Sequence, residues 1–212
     1  TARVRSLMPL LRSVTNGFPP APFDALDGEL HSVAVHIAGP VPRMQGTISV
    51  VARDVTILAA RAEEVRTRIR LAAGGAIRFE EIRALFSNGA RHGEILGEGA
   101  LDSAGDLDLR LSGARLPLGQ LGLYVEPTFL PDGELVFRAR ILGNPHTALQ
   151  ISGEGTFRDL RLVPGASLVG EGQFSVDGTW PKLKANARLA NGQLILAAEL
   201  LAEEPFAFGA EL

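Results

Sequence analysis

Four histidines, three pairs of adjacent carboxylates and three Gly-Glu-Gly triplets are the residues of this chain whose types could support catalysis or ligand binding. His31 and His36 stand five apart in a stretch that alternates apolar and polar residues. An extended strand sends such a pair to opposite faces, the wrong arrangement for a shared metal ion. His92 lies in an expected turn between Arg91 and Gly93, and His146 follows Pro145, so surface or loop imidazoles are expected. The pairs Glu63-Glu64, Glu80-Glu81 and Glu203-Glu204 could supply a general acid and base. Adjacent strand positions also face apart, and solvated charge that discourages sheet-edge association accounts for them better.

The triplets at 97–99, 153–155 and 170–172 resemble phosphate loops only in composition. No Gly-Lys-Ser/Thr follows, and no triplet sits between a strand and a clear helix, so turns or bulges are the expectation. A Gly-x-Ser-x-Gly nucleophile elbow is absent, and the lack of cysteine removes thiol chemistry, disulfides and zinc ribbons. The residues thus predict no catalytic group, no metal ligand and no cofactor, and the chain is read as not an enzyme.

Elements of a particular kind must position whatever these 212 residues do. A hydrophobic share of 46% with 21% charged residues belongs to an ordered chain long enough to bury a core. The net charge of −3 argues against nucleic acid as a partner. Only Lys182 and Lys184 among 21 basic residues are lysines, a bias read as codon usage in a GC-rich genome. Apolar runs such as Leu71 to Ile77 fall far short of the roughly 18 to 20 residues of a membrane span, so no transmembrane segment is expected. The opening Thr1 and an apparent strand at Glu203 to Leu212 suggest a piece of a longer protein.

From about Asp27 the dominant signal is period-two alternation. Leu107, Leu109 and Leu111 alternate with Asp108 and Arg110, as Val65, Thr67, Ile69 and Leu71 do with Arg66, Arg68 and Arg70. Leu135, Phe137, Ala139 and Ile141 form a third such series, and Leu183, Ala185, Ala187 and Leu189 a fourth. Asn88-Gly89, Asp132-Gly133, Asp177-Gly178 and Asn191-Gly192 punctuate these runs with residues that tolerate positive φ. The pattern predicts an all-β chain of about 13 to 16 strands. Helix is expected only at Arg3 to Val14, kinked by Pro9, and at Leu118 to Val125.

The phrase Asp27-Gly28-Glu29-Leu30 recurs as Asp132-Gly133-Glu134-Leu135, and Ile37-Ala38-Gly39-Pro40 is answered by Leu142-Gly143-Asn144-Pro145. This internal repeat divides the chain into 1–26, a short amphipathic helix with a Pro-rich lead-in; 27–126, a first β unit; and 127–212, a second, truncated unit. The segment from Gly105 to Gly119, the phrase Asp132-Gly-Glu-Leu leading to Gly143-Asn-Pro, and Leu189-Ala-Asn-Gly-Gln-Leu resemble the degenerate repeats of the TamB and AsmA-like family of Gram-negative envelope proteins. The likeness covers about 27 to 212.

That resemblance implies a β-taco, an elongated and curled antiparallel sheet whose hydrophobic groove carries phospholipids between the inner and outer membranes. It implies a periplasmic location, an inner-membrane anchor outside this chain, phospholipid acyl chains as ligands and, for the full-length protein, a BamA-like outer-membrane barrel (TamA) as partner. The groove candidates are Val33, Val35, Ile37, Ile69, Leu71, Leu107, Leu109, Leu111, Leu135, Phe137, Ile141, Leu183 and Leu189. The competing expectation is a structural or assembly module of the envelope, an outer-membrane biogenesis scaffold or adhesin-like solenoid, with a dry core.

Overall fold

The computed structural model describes residues 2–3, 27–40, 45–57, 60–72, 74–89, 91–120, 132–161, 170–180, 182–189, 194–201 and 207–211. Thirteen strands are described, and they form one antiparallel sheet in which each strand pairs with its neighbours in sequence. They are β1 (Ala2–Arg3), β2 (Asp27–Ala38), β3 (Gln45–Ile57), β4 (Ala60–Leu71), β5 (Ile77–Ser87), β6 (His92–Leu101) and β7 (Leu107–Pro117). After a single 3-10 turn at Leu118–Gln120 come β8 (Asp132–Asn144), β9 (Ala148–Arg161), β10 (Gly170–Thr179), β11 (Lys182–Leu189), β12 (Leu194–Leu201) and β13 (Ala207–Glu211). The all-β, antiparallel expectation therefore holds.

Short connections explain much of the meander, as between β3 and β4, β6 and β7 or β8 and β9, because tight turns can join only antiparallel neighbours. Between β6 and β7 the Asp102 carboxylate accepts the amide protons of Ala104 and Asp106, at 2.8 and 2.9 Å, and fixes the reversal. Between β8 and β9 the Asn144 side chain accepts the His146 amide proton at 3.0 Å. The expected helix at Arg3 to Val14 lies outside the described residues except for Arg3, which is in β1. The second expected helix is corrected where it is described. Leu118–Gln120 is one 3-10 turn with Gly119, a poor helix former, at its centre, and 121–125 lie outside the described residues.

Cross-strand register carries the side chains into rows that run perpendicular to the strands. One row reads Val33, Val50, Thr67, Ile82, Gly97, Leu111, Ala139, Gly153, Val176 and Ala185 from β2 to β11. On one side of it run Leu30, Ala52, Val65, Ala84, Ile95, Gly113, Phe137, Gly155, Phe174 and Ala187. On the other run Val35, Ile48, Ile69, Phe79, Gly99, Leu109, Ile141, Ile151, Gly178 and Leu183. These three rows share one face, and every residue in them is apolar or glycine except Thr67. The charged residues lie in the rows of the opposite face, among serines, threonines and a few apolar side chains such as Val51 and Leu96.

Period two breaks at bulges, where two residues of one strand oppose one residue of its partner. Leu30 and Val33 both join the apolar rows although they are three apart, as do Phe79 and Ile82. At one end of the sheet a fixed device recurs. Asp54, Arg115 and Asp159 adopt left-handed φ of 50°, 51° and 51°, and each is followed by a buried apolar residue: Val55, Leu116 or Leu160. Opposite them stand Gly28, Gly93 and Gly133, where the neighbouring backbone leaves no room for a side chain. A Cβ on Gly133 would lie 2.8 Å from the Arg158 carbonyl oxygen, and one on Gly28 would lie 3.0 Å from that of Arg53.

Candidate functional site

The apolar face is the candidate site, and its burial varies from row to row. Near one end of the strands, Val55, Ala62, Phe86, Leu116, Leu135, Leu160 and Leu189 belong to one buried cluster, with Leu118 of the 3-10 turn packed among them. Towards the other end, Ile69, Ile77, Phe79, Leu101, Leu107, Leu109 and Leu149 form a second cluster. Between the two clusters the row from Val50 to Ala185 is half-buried at every position. Ile82 and Leu111 from this row pack against the second cluster, and Phe137 and Phe174 pack against the first.

Glycines alternate with large side chains in the rows and let those side chains lie down on the sheet. A Cβ on Gly97 would stand 2.7 Å from Leu111 Cδ2. One on Gly113 would strike the Phe137 ring, and one on Gly155 the Phe174 ring. Phe174 in turn packs beside Phe157, with ring centroids 5.0 Å apart at 35°. Two of the three Gly-Glu-Gly triplets, 97–99 and 153–155, are thus central strand segments whose outer glycines face the apolar rows while Glu98 and Glu154 face away. The turn reading of those two is corrected. The third, at 170–172, opens β10 and includes an irregularity in pairing, in keeping with the bulge reading.

All thirteen predicted groove residues lie on this one face, but in different surroundings. Ile69, Leu107, Leu109, Leu135, Leu183 and Leu189 are buried, while Leu71, Leu111, Phe137 and Ile141 are half-buried. Val33, Val35 and Ile37 on β2 are 44%, 52% and 44% exposed. Residues not anticipated in the sequence complete the face: Ile82, Ile95, Phe157, Phe174 and Val176, several of them next to bulges or glycines that interrupt the alternation.

The opposite face carries the charge. Furrows of about 800 and 780 Å³ are lined mainly by its polar rows, the first by Glu81, Glu98, Arg110, Arg138, Arg140 and Asp177 among others. Arg140 grips Asp108 through two hydrogen bonds of 3.0 and 2.8 Å, and that contact holds the Asp108 carboxyl below its usual range. Arg66 donates to Glu64 at 2.6 Å with the same effect on Glu64, and Arg70 pairs with Glu80 at 2.7 Å. Positive and negative groups are interspersed, with some arginines opposite one another as in Arg66 and Arg83, so this face has no single sign.

Two facing arguments from the sequence need correction. The bulge at Leu30 to Val33 puts His31 on the same face as His36, because Val33, Val35 and Ile37 point the other way. The two imidazoles still stand about 16 Å apart along the strand, too far to share an ion. Likewise the bulge between Phe79 and Ile82 turns both Glu80 and Glu81 to the charged face, where both line the larger furrow. Ala62 and Val65 belong with one apolar cluster, so Glu63 and Glu64 also share the charged face. Glu203 and Glu204 lie outside the described residues. Among the described residues no three His, Asp or Glu side chains converge as a metal site would require, and no helix is long and apolar enough to cross a membrane. Compared with known proteins, the chain matches no family model, no curated protein and no solved structure.

Proposed function

We propose that this chain is a section of a lipid-transfer conduit of the TamB and AsmA-like kind, in which the apolar face forms the groove for phospholipid acyl chains. The observation that carries the reading is the central row from Val50 to Ala185, almost wholly apolar, continuous across nine strands and half-buried throughout. Nine strands at about 4.8 Å spacing extend that row for roughly 38 Å, longer than one extended acyl chain. Each buried methylene gains about 0.8 kcal/mol wherever it lies on an aliphatic face, so the chain is held firmly without a preferred stopping point. No bond is made or broken. In this reading the charged face looks to solvent, the location is the periplasm, and a BamA-like barrel receives the longer protein at the outer membrane.

A structural or assembly module of the envelope is the second reading, and the clusters at the two ends of the strands favour it. Leu116, Ile77 and Leu189 are only 0 to 2% exposed, as in a dry core. Lipid analysis separates the two. Protein purified from a Gram-negative host should carry phospholipid detectable by native and extraction mass spectrometry. Leu111→Asp, in the half-buried row, should shed that lipid while circular dichroism keeps its β signature. Lipid-free wild-type protein would support the dry core instead.

A further inference from the structure

We infer that an acyl chain on the apolar face lies across the strands, along the rows, and that the large side chains resting over glycines set this direction. The inference rests on the conduit reading and concerns how the ligand is held. Leu111 rests over Gly97, Phe137 over Gly113 and Phe174 over Gly155. Three further pairs repeat the arrangement. Leu109 reaches over Gly99, its Cδ1 3.1 Å from where a Cβ would stand, Leu183 reaches over Gly178 with Cδ2 at 3.4 Å, and Leu189 covers Gly172.

In all six pairs the tip that covers the glycine comes from the strand that follows it in sequence: β7 over β6, β8 over β7, β10 over β9 and β11 over β10. The strand before also offers a large neighbour, Ile95 beside Gly113 and Phe137 beside Gly155. Phe137 instead leans away from Gly155 to cover Gly113. The rows therefore share one grain, running from β11 towards β6.

This grain shapes the surface that a ligand meets. A glycine leaves a gap in its row, and a tip leaning in from the next strand fills it, so each row becomes a ridge of even height in the direction across the strands. Neighbouring rows on one face are two residues apart, about 6.7 Å, and a trough runs between them. A hydrocarbon chain in that trough can touch both ridges at the dispersion optimum of about 3.5–4.0 Å. Laid along a strand, the same chain would cross a ridge every two residues and lose contact with the floor between. The central row dips at Ala139 and Gly153, two small residues side by side, where the flanking troughs join.

Positions on one strand distinguish the two directions. Leu135 and Ile141 lie towards opposite ends of β8, as Leu189 and Leu183 do on β11. Methyl NMR of the protein with a phosphatidylcholine carrying a nitroxide on one acyl chain, placed either near the glycerol or near the terminal methyl, reads the direction. Chains across the strands keep the same rows near both labels. Ile82, Leu111 and Val176 should then broaden more than Leu96 of the charged face with either lipid, and the Leu135-to-Ile141 and Leu189-to-Leu183 broadening ratios should not change between labels. Ratios that reverse as the label moves would mean a chain lying along the strands and would overturn the inference while leaving the conduit reading intact. No broadening with either lipid would overturn both.

Discussion

Glycine and phenylalanine pair across the strands of this sheet, and substitution at the glycine is the sharpest probe of that packing. Gly113→Val forces a side chain into the Phe137 ring and should cost about 1–3 kcal/mol in urea unfolding, as overpacking does elsewhere. Arg115 bears the opposite strain, a long side chain held at φ 51°. Arg115→Gly should stabilise by about 1 kcal/mol, whereas Arg115→Ala should gain nothing, since only glycine is free of the left-handed penalty. On the charged face, Asp108 titrates below its usual range because of Arg140. A depressed carboxyl contributes stability above its unfolded pKa and loses it as pH falls through the folded value. Arg140→Gln should therefore raise the Asp108 pKa toward the ordinary carboxylate value in an NMR titration; an unmoved pKa would contradict the pairing. The alternation of Leu107, Leu109 and Leu111 made their common face readable from residue types alone. The glycines beneath their neighbours suggest turns or bulges from sequence alone, because a missing side chain carries no sign of what lies over it.

At the scale of elements, bulges decide which residues meet. Facing rules based on strict alternation served β7 from Leu107 to Gly113 and β11 throughout, where pairing is regular. They failed for His31 with His36 and for Glu80 with Glu81, because one extra residue reverses every facing beyond it. The recurrence of short phrases was half legible. Asp27-Gly28-Glu29-Leu30 and Asp132-Gly133-Glu134-Leu135 stand out as phrases, but their partners Arg53-Asp54-Val55 and Arg158-Asp159-Leu160, at the same 105-residue offset, are recognised only once strand pairing sets Asp54 and Asp159 in their bulges. Deleting Arg115 tests the device directly. Loss of the bulged residue would turn Leu116, fully buried now, toward the charged face or break the β7–β8 register. Stability should fall by several kcal/mol, within the range of about 2–5 for losing a buried leucine, as measured by the denaturant midpoint.

At the scale of the whole molecule, the sheet from β2 to β11 separates an apolar face from a charged one. The all-β, antiparallel character was legible from alternation and turn residues; how much of the apolar face stays open was not, because it depends on curvature and on contacts between strands far apart in sequence. The half-buried row between two buried clusters is the feature on which the conduit reading rests. A phospholipid bearing a photoactivatable acyl chain, irradiated with the purified protein and mapped by peptide mass spectrometry, tests that claim most directly. The account predicts adducts on Ile82, Leu111 and Val176 and none on Leu96 or Ser175 of the charged face; adducts spread evenly over both faces, or no adducts at all, would contradict it.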